Sequence, residues 1–302
     1  MKRTRSQVSG TPPRPDGTSA FFAIADEEGE DTPTAAPSSP SRSGSPLPRK
    51  RAKRPARPIA DPSQYAHLGD DPLPDYLDDG LSVLLCGINP GVKSAQLGLH
   101  YANPTNHFWR CLAESGLTPR LLHPSEGPKL PLFGLGSTNL VERPSAEMSE
   151  ISTSEMTARV PTLLRKVVRY RPRILACVGM KICEVILRYL HNQVPAVGRR
   201  KAMPKVKIGL QPCTFIIPDP AGEGTDHITY FWCLPSTSAR VVEYQLTDKI
   251  KIWRQLKEDV ERLAEVGLDL PDGYTTYTAS LLPPEPPAAG FMPSVKYKLT
   301  LL

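Results

Sequence analysis

The chain of 302 residues holds 34 prolines and has a mean hydropathy of −0.30, a composition that excludes uniform packing from end to end. Its formal charge of +6 is unevenly divided: residues 1–60 carry 11 Lys and Arg against 6 Asp and Glu, the remainder 26 against 25. A nearly neutral body with a basic arm points to a polyanionic partner. No apolar run approaches the roughly 18 residues that span a bilayer, and no signal segment opens the chain, so a soluble, intracellular protein without membrane contact is expected.

Residues 1–60 are rich in Pro, Ser, Gly and charge, too poor in apolar surface for burial to offset the entropy of ordering, and read as a disordered tail. Within it "RKRAKRPAR" (Arg49 to Arg57) concentrates six positive charges in nine positions. That pattern fits a nuclear-import signal or a phosphate-gripping patch, and equally a plain solvated run. "AFFAIADEEGED" is a candidate docking peptide for a protein partner.

From 61 to 265 the pattern becomes that of one folded domain. "LSVLLCG" (81–87) and "RILACVG" (173–179) are continuous apolar segments of strand length, as in a parallel sheet covered on both faces. "SEMTARVPTLLRKVVRY" aligns Met156, Val160, Leu163, Leu164, Val167 and Val168 on a helical stripe, with Pro161 expected to start, kink or divide that helix. "MKICEVILRYLHN" is a second helix, "HITYFWCLP" (227–235) a late strand, and "TDKIKIWRQLKEDVERLAEV" a closing helix on Ile250, Trp253, Leu256, Val260 and Leu263. The expected class is α/β, a three-layer α/β/α domain around a central, mostly parallel sheet. Residues 266–302 turn proline-rich again and read as a loosely held second tail.

The six cysteines (Cys86, Cys111, Cys177, Cys183, Cys213, Cys233) form no CxxC pair and sit in apolar runs, which reads as buried free thiols in a reducing compartment. No metal or other cofactor is expected; His100 and His107, seven apart without a nearby Cys or acid, make a poor metal pair. Ligands of open parallel sheets collect beyond the carboxyl ends of the strands. Three loops are candidates for that place: "GINPG" (87–91), "GLGSTNLVERP" (134–144) and "LPSTSAR" (234–240). Each also reads as ordinary turn or cap chemistry.

In combination these loops say more. "GINPG", then "HYANPTNHFW" (100–109), "TNLVERP" (138–144), "GLQP" (209–212) and "LPSTSAR", in that order, resemble the mismatch-specific thymine/uracil-DNA glycosylase family of the uracil-DNA glycosylase superfamily over about residues 75–265. The resemblance implies the uracil-DNA glycosylase-like fold and a monofunctional, monomeric, nuclear enzyme of base excision repair. Its partner would be double-stranded DNA with G·U or G·T mismatches, from which it flips the base, hydrolyses its N-glycosidic bond and leaves an abasic site.

Residue by residue, Asn89 matches the catalytic asparagine, whose side-chain carbonyl would hold the attacking water beneath C1′. An amide orients water but stabilises an oxocarbenium-like sugar less than a carboxylate would, so the chemistry should be slow and favour bases already poorly paired. Ile88 and Ser94 would line the base pocket, His100 its edge, Tyr101 would stack on the base or serve as a core tyrosine, and Asn139 would read the imide edge. Asn106 and the "HFW" after it would fix the helix backing the pocket. Ser236 and Ser238 would hold phosphates and Arg240 would fill the vacated stack. Lys201 in "GRRKAMPKVK" (198–207) would add a phosphate contact. Met180 stands where relatives place lysine directly after the glycine, which displaces that contact to Lys181. Two rival readings are a catalytically weak DNA-binding scaffold and a binder of free nucleotide; the absence of a P-loop or GxGxxG motif weighs against the latter.

Overall fold

The computed structural model describes residues 61–193, 203, 205–219, 222, 224–268 and 274–284. The basic run at 49–57, the "AFFAIADEEGED" peptide and Lys201 lie outside the described residues.

Among the described residues six strands and five α-helices appear in the order β1 (Val83–Gly87), α1 (Val92–Leu97), α2 (Phe108–Ser115), β2 (Leu135–Asn139), α3 (Thr153–Tyr170), β3 (Ile174–Val178), α4 (Met180–Gln193), β4 (Gly209–Ile217), β5 (His227–Leu234), α5 (Leu246–Glu265) and β6 (Thr275–Thr278). They form a single sheet ordered β2-β1-β3-β5-β4-β6. The first four of these run parallel, and β4 is antiparallel to β5. This is the expected mixed α/β architecture.

The apolar strands read as continuous because both faces are covered, and their residues alternate between two cores. Leu84, Cys86, Leu175, Cys177, Phe231 and Cys233 pack against α3 and α4. Val83, Leu85, Ile174, Ala176, Trp232 and Leu234 pack with Phe108, Leu112, Trp253 and Leu256 of α2 and α5. The period-two geometry of a strand thus divides one apolar run between two helix layers. All six cysteines are free and buried, and burial raises the Cys86, Cys111 and Cys213 thiols to about 12. They are neutral fillers of the core.

Three local expectations are corrected. Helix α3 runs from Thr153 to Tyr170 with Pro161 inside it, so the proline neither starts nor divides the helix. Burial of the Met156, Val160, Leu163, Leu164 and Val167 stripe outweighs the one backbone donor that proline lacks. The stretch read as a loop at 134–144 is an edge strand through Asn139. Its Gly-Ser-Thr composition mimics a turn, yet a Cβ at Gly136 would meet Leu81 Cδ1 at 2.5 Å and the Tyr76 carbonyl at 2.9 Å, so only glycine fits there. Finally, part of the presumed second tail is structural: β6 pairs in parallel with β4, and Tyr277 is 1% exposed within the core under α3 and α4.

Strand β6 gives a first test. Tyr277→Ala in the full chain should lower unfolding stability by about 3 kcal/mol, as other large aromatic truncations in cores do. Chemical denaturation checks this, and an unchanged midpoint would return the segment to the status of a tail.

Candidate active site

The carboxyl ends of β1, β2, β3 and β5 lie along one edge of the sheet, a consequence of their parallel register. β1 sits between β2 and β3, where the chain turns from one side of the first strand to the other, and there a crevice opens. The β1–β2 ladder continues past the strands. Leu140 N donates to Gly87 O (2.9 Å), Val141 N to Ile88 O (2.8 Å) and Ser145 N to Pro90 O (3.0 Å). Two loops that look flexible in sequence are therefore fastened together.

Asn89 hangs from this fastened loop. Its Nδ2 donates to Arg143 O (3.0 Å), Pro90 O (3.2 Å) and Ser145 Oγ (2.9 Å). The Ser145 hydroxyl itself donates to Glu147 O at 2.9 Å, so it meets the amide as an acceptor. Three acceptors around one nitrogen fix the amide's orientation, because a flipped side chain would set Oδ1 against two carbonyl oxygens. Oδ1 has no donor among the described residues and remains available to a water. Arg143 is held in turn by Glu155 (2.6 and 2.8 Å) and by Glu150 O (2.9 Å). Glu155 stands in the first turn of α3, where Ser152 caps its backbone N at 3.1 Å.

A cavity of about 460 Å³ opens beside Asn89. Every described residue expected at the site lines it: Ile88, Asn89, Ser94, His100, Tyr101, Asn139, Ser236, Ser238 and Arg240. Gly87 makes the cavity floor feasible, since a Cβ there would strike Asn139 Oδ1 at 2.6 Å and the Tyr101 hydroxyl at 2.9 Å.

Tyr101 is both a core residue and part of the cavity lining. The ring stacks on Phe108 at 3.7 Å and 7°, and Phe108 meets Trp253 edge-on at 5.6 Å, so one face belongs to the aromatic core while the residue borders the cavity. Its backbone takes φ 51°, a left-handed conformation uncommon for an aromatic residue, and its buried hydroxyl has no hydrogen-bond partner among the described residues.

His100 is among the cavity's lining residues, as the pocket-edge expectation has it, yet its ring nitrogens serve the protein. It is 1% exposed, its Nε2–H donates to Pro74 O (2.8 Å) and its Nδ1 faces the Ser137 hydroxyl (3.3 Å), so both nitrogens are engaged by protein. Its ring is part of the cavity wall, held there by both contacts. Ser94 likewise accepts from Ala102 N at 3.1 Å, which pins the 98–102 turn to α1. Asn106 accepts from Phe108 N at 2.9 Å and sets the start of α2, as expected. Lys181 lies in the first turn of α4 and is not among the cavity's lining residues.

The Ser236–Arg240 loop closes the cavity's other side. Ser236 Oγ accepts from Ser238 N (3.3 Å) and Ser238 Oγ from Arg240 N (3.2 Å), a tight pair of turns in which each hydroxyl keeps its hydrogen to donate. The Arg240 side chain is 77% exposed at the rim, with Nη1 3.7 Å from Glu147 Oε1. Such an exposed contact is worth at most about 1 kcal/mol and is readily given up.

Sequence reasoning missed Ser145, Glu147, the Arg143–Glu155 pair and Lys249. Ser152-x-x-Glu155 is a capping-box signature that could have drawn attention to Glu155. Lys249 occupies a helical-stripe position between Leu246 and Trp253 and is 0% exposed. Among the described residues no cluster of three or more His, Cys, Asp or Glu side chains could hold a metal.

Burial holds the His100 imidazole below its ordinary pKa. The unfolded chain therefore binds a proton that the folded one refuses. His100's contribution is fully present above the unfolded value near 6.5 and is lost as pH falls from there toward the depressed folded value. Denaturation curves at stepped pH should show that decline, and His100→Gln should flatten it.

The model of the uracil DNA glycosylase superfamily matches residues 74–257, well over half of the 302. The matched span begins just before β1 and ends within α5, taking in the cavity and all of the loops that build it. The chain therefore belongs to the uracil DNA glycosylase superfamily, which implies hydrolysis of a base from DNA.

Proposed function

We propose that this protein is a monofunctional, mismatch-specific glycosylase that everts uracil or thymine opposite guanine and hydrolyses its N-glycosidic bond. The observation that carries the reading is the Asn89 amide, its nitrogen held by three acceptors and its Oδ1 left without a donor among the described residues, in a cavity that Arg240 also lines. A water accepted by Oδ1 would lie beneath C1′ of an everted deoxyribose. Attack forms the C1′–O bond as the C1′–N bond breaks, the electron pair leaves with the base, and the water's proton passes to solvent. No enzyme amine is needed, so the product is an abasic site.

The base would enter between Tyr101, whose ring is already stacked on Phe108, and Asn139, whose amide offers both a donor and an acceptor to an imide edge. Ser236 and Ser238 would donate to phosphates, and Arg240 would leave Glu147 to occupy the gap and face the orphaned guanine. A neutral amide supplies position and no strong base, so the slow step is bond cleavage in a base that must already be a fair leaving group. A mispaired base is cheaper to extrude by a few kcal/mol, which confines such an enzyme to wrong pairs. The protein would act in the nucleus, with the run at 49–57 as the import signal.

Labelled duplex containing G·U or G·T, incubated with protein and then cleaved by alkali, should be cut at the mismatch; an intact strand would defeat the reading. Asn89→Ala should bind the same duplex yet release base at least about a thousandfold more slowly, since only the water's placement is removed. Retained activity would take Asn89 out of the reaction.

The arm at 1–60 carries a net +5, from 11 basic and 6 acidic residues. It should tighten duplex binding without sequence preference, and its deletion should flatten the dependence of log K on log salt by about 0.9 for each phosphate that the arm neutralises. Equal slopes with and without the arm would contradict this.

A further inference from the structure

Lys249 is the one lysine among the buried polar residues, and it sits in the first turn of α5 with 0% exposure. No carboxylate pairs with it among the described residues. Its Nζ donates to Ser238 O (2.9 Å) and to His107 Nδ1 (3.3 Å). His107 N in turn donates to Thr237 O at 2.9 Å, and Thr237 is itself 2% exposed. Two successive carbonyls of the Ser236–Arg240 loop are therefore tied down, one by the start of α2 and one by α5.

An ammonium buried without a counter-charge costs several kcal/mol, and an apolar side chain of the same length would fill the space without that penalty. Both bonds that offset the cost end on the loop or on the side chain of His107, the residue whose backbone N–H holds the loop. A residue needed only to fill the core would gain nothing from that charge. Burial lowers the Lys249 pKa, and burial, Lys249 and Arg110 together lower that of His107. The imidazole is thus kept neutral and able to accept at Nδ1.

We propose that Lys249 is a positioning residue that anchors the Ser236–Arg240 loop to the core and so fixes the place from which Arg240 enters the duplex. The anchoring stands on geometry alone, whereas its consequence for base eversion rests on the function proposed above. Lys249 touches neither base nor sugar; it acts through the loop.

Lys249→Met in the full chain tests both parts. Backbone amide exchange across 236–240 should quicken by about tenfold, the loss expected of one charged hydrogen bond, while the β1 and β3 amides hold their protection. In single-turnover assays the rate on a G·U duplex should fall about tenfold more than the rate on uracil opposite an abasic-site analogue, where little pairing opposes eversion. In an Arg240→Ala background the same substitution should add little to the G·U loss. Unchanged loop exchange, or equal losses on both duplexes, would overturn the proposal. If wild-type protein released no base from either duplex while the loop exchange still quickened, the anchor would stand and the glycosylase reading would fall. Lys249→Gln replaces the Met variant should that one not fold. Failure of both to fold overturns the proposal, because the lysine would then be a requirement of the core.

Discussion

The site depends on one amide whose nitrogen is surrounded by acceptors. Two of the three partners of Asn89 Nδ2 are backbone carbonyls, which can only accept, and the third is a hydroxyl whose hydrogen is already donated to Glu147 O. Rotating the amide by half a turn would forfeit the bonds of its two N–H groups, which the three acceptors share, and oppose like dipoles, a penalty of about 2 kcal/mol or more. The carbonyl oxygen is thereby directed without any charged neighbour. The anchorage reaches back through Arg143 to Glu155 and the capped start of α3, so a helix terminus on one side of the sheet stiffens a loop at its edge.

The opposite rim is built differently. The Ser236–Arg240 loop is pinned at its base by Thr237 O and Ser238 O, while its tip carries an arginine paired only loosely to Glu147. A firm base and a releasable tip suit the part proposed for Arg240. The aromatic column from Tyr101 through Phe108 to Trp253 joins these two halves, because α2 and α5 both pack on it. Rigidity in the wall and latitude in the wedge are thus supplied by separate parts of the fold.

Much of this was legible along the chain, for identifiable reasons. Strands β1, β3 and β5 announce themselves because full burial on both faces demands unbroken apolar runs, and α3 to α5 because a single buried face imposes helical spacing. The "GINPG", "TNLVERP" and "LPSTSAR" loops stand out because strand ends with turn residues are where such sheets gather ligands. β2 escaped notice because its glycine and hydroxyl residues answer to close packing against Tyr76 and Leu81 rather than to strand propensity. β6 escaped because a short edge strand among prolines carries no periodicity, and Tyr277 is buried only by what folds over it. The bonding of His100 and the place of Lys249 escaped for one reason: a polar side chain's role is set by its partners, and theirs lie 26, 37, 142 and 11 residues away in sequence.

By itself the sequence determined the alternation of strands and helices, the loops that meet at one edge, and the identity of the residues that could do chemistry there, since these follow from local periodicity and residue type. Only the tertiary structure decided which acceptors hold the Asn89 amide, that both nitrogens of His100 are engaged within the protein, and that a buried lysine ties the Ser236–Arg240 loop. Those outcomes depend on hydrogen-bond partners brought together from distant parts of the chain, and no local pattern encodes a partner's position.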